Sequence, residues 1–222
     1  MTARTFLRQN SLSITLFSLF LLFIIGMSIS GWRTENSTLE EHRQPTQTYL
    51  QYVSSGSFVE AVFENWESEF LQMWALVILT IALRQKGSAD SKPLQGTAPQ
   101  DTRSRLSIIN ASTWKKRRKA LARALYSRSL GLALLSLFII SFVLHAIGGA
   151  HAYSKEALQH GEAAVSTIQY LATSQFWFES LQNWQSEFLA VGALILLSIK
   201  LRERGSQQSK PVGTAHDHQT GG

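Results

Sequence analysis

Residues 9–32 read QNSLSITLFSLFLLFIIGMSISGW, without a single Asp, Glu, Lys or Arg. A helix needs about 20 consecutive apolar residues to cross the hydrocarbon core of a bilayer. A soluble helix of that length normally keeps a charged face. Residues 129–154, SLGLALLSLFIISFVLHAIGGAHAYS, form a second uncharged stretch. Across the chain only 16% of residues are charged, against roughly 25% in soluble proteins. The two stretches therefore read as membrane spans over about 11–31 and 129–150. Arg4 and Arg8 before the first span also suit a signal peptide, but the apolar run is too long for one and the matching mid-chain segment argues for a retained span.

That match is part of a longer pattern. Asn65-Trp66-Glu67-Ser68-Glu69-Phe70-Leu71 recurs as Asn183-Trp184-Gln185-Ser186-Glu187-Phe188-Leu189, at an offset of 118. Between 58–93 and 176–211, 18 of 36 positions are identical. Upstream, Ser18 aligns with Ser136, Gly31 with Gly149, His42 with His160, and Gln51-Tyr52 with Gln169-Tyr170. The reading is a tandem duplication. Each copy holds an apolar helix, a polar connection (32–57, 151–175) and a second helix (58–83, 176–201) that starts polar and ends apolar. The expected fold is an all-α membrane protein with four transmembrane helices, arranged as two parallel two-helix repeats about a pseudo-two-fold axis along the membrane normal. Its expected divisions are a first repeat over 1–93, a disordered cytoplasmic linker over 94–114, a second repeat over 115–211 and a disordered tail over 212–222. The Ser-, Gln- and Pro-rich composition from Gly87 onward suggests disorder already there.

Charge is distributed one-sidedly. Residues 84–128 carry twelve basic and two acidic side chains, whereas 32–69 carry two basic and seven acidic. The positive-inside rule then puts the N-terminus, central loop and C-terminus in the cytoplasm. Lys115, Lys116, Arg117, Arg118 and Lys119 read as an anchor on anionic lipid of the cytoplasmic face. No aromatic interleaving or recognition fold accompanies them, so nucleic acid is not an expected partner. With no cysteine, disulfides and thiolate chemistry are excluded. No histidine pair has ligand spacing on a helix, and no catalytic triad, phosphate loop or zinc motif occurs; neither a metal, a cofactor nor an enzymatic activity is expected.

The second helix of each copy carries the candidate site. An ideal helix puts Asn65, Glu69, Met73, Leu76 and Thr80 on one stripe, and Asn183, Glu187, Val191, Leu194 and Ser198 on its counterpart. A carboxylate within the membrane is costly unless it faces protein or water, so the stripe is expected to face inward. Asn65, Ser68, Glu69, Asn183, Ser186 and Glu187 thus form a candidate intramembrane polar site, suited to a proton or cation. The competing reading is interfacial: acidic residues near the start of a helix favour its dipole, and Trp66 and Trp184 suit an aromatic belt. Ser57 with Glu60 resembles a capping box for the first copy, absent from the second. His145 aligns with Met27 and reads as a hydrogen-bonded packing histidine. Glu67 aligns with Gln185, which makes it a poor candidate for a shared site.

At Phe63–Gln72, Leu83–Ser88 and again from Gln182 to Pro211, the chain resembles a family of bacterial membrane proteins described only as a domain of unknown function. The resemblance implies a bacterial inner-membrane protein and supplies no activity. A structural or interaction role is the leading expectation, with a homo-oligomer or a membrane-protein partner. The alternative is a proton- or cation-coupled transporter or channel using Glu69 and Glu187.

Overall fold

A computed structural model of the chain describes residues 2–96, 98–101 and 121–217. Every regular element among the described residues is helical. The elements are α1 (Ala3–Gln9), α2 (Ser11–Glu41), α3 (Tyr49–Val53), α4 (Gly56–Ala82), a 3-10 turn (Pro99–Asp101), α5 (Ser129–Gln159), α6 (Thr167–Leu171) and α7 (Ser174–Lys200). The bounds of α2, α3 and α4 recur as those of α5, α6 and α7 at the offset of 118 residues. The basic run 115–119 and most of the linker expected over 94–114 lie outside the described residues.

The chain divides into two compact units, one of residues 1–62 and 144–172, the other of 63–143 and 173–222. In the first unit α2 and α5 run about ten residues past the apolar stretches that announce them, into the polar connections. Each then ends in the same way. The Gln44 N–H reaches back to the Leu39 carbonyl (2.8 Å), and Glu162 N–H to Ala157 (2.9 Å), the i to i−5 bond of a Schellman ending. That ending needs a left-handed residue, here Arg43 (φ 56°) in one copy and Gly161 (φ 78°) in the other. The returning chain is pinned at equivalent positions. Gln47 N donates to Asn36 Oδ1 (2.9 Å) while Asn36 Nδ2 donates to the Gln47 carbonyl (2.9 Å). Val165 and Ser154 exchange the same pair of bonds at 3.0 and 3.1 Å. Capping boxes, Thr48 with Gln51 and Ser166 with Gln169, then start α3 and α6.

Those short helices exist to aim a tyrosine. A Cβ on Gly31 would collide with the Tyr52 ring, and one on Gly149 with the Tyr170 ring. Only glycine lets the ring lie against the helix backbone. Tyr170 has no exposed surface and Tyr52 has 5%. A second close approach joins α4 and α5: a Cβ on Gly148 would meet Glu60 N at 2.6 Å, and one on Gly56 would meet the Gly148 carbonyl at 2.7 Å. Small residues let helix backbones touch in this way. The Lys155 ammonium pairs with Glu35. The start of α4 differs from the expected Ser57–Glu60 box. Ser55 Oγ accepts from Phe58 N, and Thr173 Oγ1 accepts from Phe176 N, both at 3.3 Å. Both copies are therefore capped, two residues earlier than Ser57.

In the second unit α5 and α7 pack through aromatic rings. Phe142 meets Phe176 edge-on (5.3 Å, 89°), and Phe138 and Trp177 flank Trp184 at 6.2 and 6.4 Å. The segments after α4 and α7 fold into matching turns. Ser91 Oγ accepts from Gln85 N (2.8 Å) and Ser209 Oγ from Glu203 N (2.9 Å). Ser88 and Ser206 likewise accept from Asp90 N and Gln208 N at 3.1 Å. Arg84 and Arg202 donate to the last carbonyls of their helices. Polar composition from Gly87 onward thus reflects side chains that satisfy a turn, and Lys92 pairs with Asp101 beyond it. In the tail expected to be disordered over 212–222, the Thr214 and His216 carbonyls accept from Arg202 and Lys210 at 3.1 and 2.8 Å; residues 218–222 lie outside the described residues.

Gly149→Ala is expected to lower stability by about 1–3 kcal/mol, because the buried Tyr170 ring must shift to admit a methyl group. Gly26→Ala, where nothing lies within 4 Å of an added Cβ, should be neutral or slightly stabilising. Thermal unfolding of the two purified variants in one detergent decides between them. Burial, and then the charge of Glu35, push the Tyr52 phenol above its ordinary value of 10.0. Below that value both folded and unfolded chains hold the proton, so the contribution is intact. As pH rises further the unfolded chain ionises first, and stability falls. Tyr52→Phe should flatten this alkaline loss in denaturation midpoints measured on either side of about pH 10.

Candidate intramembrane polar site

The polar half of α4 meets the polar half of α7 within the second unit. Glu67 has no exposed surface, and its Oε1 accepts from Trp184 Nε1 at 3.0 Å. One turn earlier, Glu64 accepts from Asn183 Nδ2. Asn183 Nδ2 also donates to the Glu179 carbonyl of its own helix (3.2 Å). Ser68 and Gln72 continue the buried face of α4, at 2% and 9% exposure. Residues 64, 67, 68 and 72 follow the i, i+3, i+4 spacing of one helix face. A carboxylate removed from water must be matched by donors, and a charged acceptor makes each such bond stronger than a neutral one.

This face is not the one expected. Asn65 and Glu69 are exposed, as is Met73 on the same stripe. Ser186 is exposed, Asn183 and Glu187 are half-buried, and Ser68 alone of the six is buried. Of the six expected residues, Ser68 is buried on the bonded face of α4 and Asn183 bonds across to Glu64, while Asn65, Glu69 and Ser186 are exposed. Glu69 nevertheless comes close enough to the half-buried Glu187 for their charges to interact. Glu64 and Glu67, outside the expected set, are the carboxylates that accept hydrogen bonds across the contact. Ser68 and Ser186 each donate to the carbonyl three residues earlier, Asn65 and Asn183, at 2.8 Å, so neither hydroxyl reaches across. The Glu64-x-x-Glu67 spacing followed by Gln72 marks this face in the sequence, although Gln185 stands opposite Glu67 in the other copy.

The first unit holds a separate polar cluster. Tyr170 Oη donates to Glu60 Oε1 at 3.1 Å. The His145 ring, with no exposed surface, has a nitrogen within 4.8 Å of a Glu60 oxygen. His145 is thus buried next to a carboxylate.

The chain is thus an all-helical protein in which two helices, α2 and α5, are long and apolar enough to cross a membrane, with mean hydropathy 2.4 and 2.5 over their best windows. It belongs to the family described as a domain of unknown function (DUF6766), whose model matches residues 3–222. No curated protein matches the chain. No solved structure matches it either.

Trp184→Phe removes the indole donor from a carboxylate that has no exposed surface. A loss of about 1–3 kcal/mol is expected, the cost of an under-satisfied buried group. The double variant Trp184→Phe, Glu67→Gln should recover part of that loss, since no charge is then left short of a donor. Unfolding midpoints for the four members of this cycle measure the coupling.

Proposed function

We propose that the chain is a small four-span protein of the bacterial inner membrane, with both termini cytoplasmic, whose role is structural or to engage another membrane protein. In this reading the two copies are parallel two-helix repeats, and α4 and α7 are spans as well. At 27 residues each, they extend roughly 40 Å, more than the ~30 Å hydrocarbon core. Their polar halves miss the composition of an ordinary span, but polar residues within a membrane are tolerated when they pair inside the bundle. The observation that carries the reading is the pairing of Glu64 with Asn183 and of Glu67 with Trp184. These carboxylates tie two helices together through hydrogen bonds. The cytoplasmic face is expected to rest on anionic lipid through residues 115–119.

A second reading has one observation in its favour. Glu67 is fully buried in the polar half of α4, a setting used for proton or cation coupling. Two measurements separate the readings. The chain lacks cysteine, so Ser54→Cys and Leu94→Cys each carry a single thiol. In intact cells an impermeant reagent should label Ser54→Cys and spare Leu94→Cys; the reverse pattern would overturn the orientation. In proteoliposomes containing a pH-sensitive dye, the parent should pass no more protons than empty vesicles. A parent flux abolished by Glu67→Gln would replace the structural role with proton coupling.

A further inference from the structure

A cavity of about 320 Å³ lies between the apolar halves of α4 and α7 in the second unit. That is the lower end of the range for small-ligand sites. Its walls are mainly Leu76, Leu79, Leu83, Phe188, Val191 and Ile195, with the Gln72 amide at one end. Thr80 also lines it, but its hydroxyl donates to the Leu76 carbonyl at 2.8 Å, so the wall it offers is effectively apolar. The space exists because of Gly192. A Cβ there would meet nothing within 4 Å, whereas the aligned position in the other copy is Trp74. Glycine therefore leaves a gap where its counterpart carries the largest side chain.

The rim is polar and bears both signs of charge. Arg84 and Asp90 line it, with Gln85, Ser88 and Ser91. The two charges do not neutralise each other, as no ion pair joins them among the described residues. Arg84 uses Nη1 on the Ile81 and Leu83 carbonyls, which holds the guanidinium at the end of α4. The turn fixes Asp90 by its backbone, through Ser88. No hydrogen bond is made by its carboxylate among the described residues. Although exposed over part of its surface, that carboxyl is pushed up by desolvation. A cation supplied from outside would relieve it.

We propose that this cavity seats one acyl chain of a zwitterionic glycerophospholipid of the phosphatidylethanolamine type, its phosphate at Arg84 and its ammonium at Asp90. The walls match hydrocarbon, the depth follows from the missing side chain at Gly192, and the rim matches a headgroup carrying both signs. A purely anionic lipid would satisfy Arg84 and leave Asp90 repelled. A free fatty acid would do the same. The inference rests on the membrane reading above but concerns a different part of α4 and α7 from the carboxylate contact.

The test uses the full chain purified in detergent, with three photoreactive probes sharing one diazirine-bearing acyl tail: phosphatidylethanolamine, phosphatidylglycerol and free palmitate. The phosphatidylethanolamine probe is expected to label α4 and α7 peptides most strongly. Gly192→Trp should abolish that labelling. Asp90→Asn, a change in an exposed turn, should keep labelling by the tail but lose the preference over phosphatidylglycerol. Equal labelling by all three probes, unchanged in Gly192→Trp, means unspecific lipid contact and overturns the proposal. Preference for phosphatidylglycerol or palmitate in the parent overturns it as well. Fractionation of cells separates the two levels. A chain absent from the membrane fraction sinks the membrane reading, whereas a membrane-bound chain with indifferent labelling sinks the lipid site alone.

Discussion

A carboxylate with no contact to water is stable only where donors replace the water, and Glu67 sets that condition for α4 and α7. Trp184 Nε1 meets it from the facing helix at 3.0 Å, and Asn183 does the same for Glu64. Hydrogen bonds are directional, so these contacts fix both the rotation of α4 and its height against α7. An apolar seam of leucines would permit slippage by one residue or one turn. With the polar halves locked, the apolar halves are held in a set register, and the gap at Gly192 becomes a defined cavity rather than a fluctuating one.

Much of the architecture is legible in residue patterns with a simple physical origin. Uncharged stretches announce α2 and α5 because desolvating a charge is costly. Agreement at 118-residue spacing anticipates that the later helices share the bounds of the earlier ones. Gly31 and Gly149 are recognisable as close-packing residues, although their partners turn out to be tyrosines on short helices. The turns after α4 and α7 are less legible. Ser88, Ser91, Ser206 and Ser209 look like linker composition, yet each hydroxyl accepts a backbone N–H. Serine is common both in disordered tracts and in side-chain-stabilised turns, so composition alone does not separate them.

The candidate site was legible in kind but not in orientation. Polar residues in the first half of α4 signalled a buried contact, and they make one. Requiring identical residues in both copies selects Asn65 and Glu69, which are exposed, although Glu69 approaches Glu187 of the other helix. That criterion assumes that aligned positions do aligned work. Glu67 and Gln185 show otherwise. Glu67 is buried, while Gln185 is exposed and donates to the Gln182 carbonyl of its own helix. Such a cross-helix bond needs different chemistry on its two sides, an acceptor on one and a donor on the other.

The same logic extends to other departures between the copies. Many residues shared at the 118-residue spacing shape the backbone: the tyrosines against glycine, and the serines and arginines of the turns. Shared Asn183 and Trp184 bridge helices too, but only because unshared Glu64 and Glu67 face them. Trp74 against Gly192 decides whether space is filled or open. Met27 is half-buried where the aligned His145 is buried beside a carboxylate. Glu67 against Gln185 decides where charge is buried. If shared residues make the scaffold and unshared ones its specific features, then function is to be sought where the copies disagree. Gly192 and Glu67 are both such positions, and they lie on opposite halves of the same pair of helices.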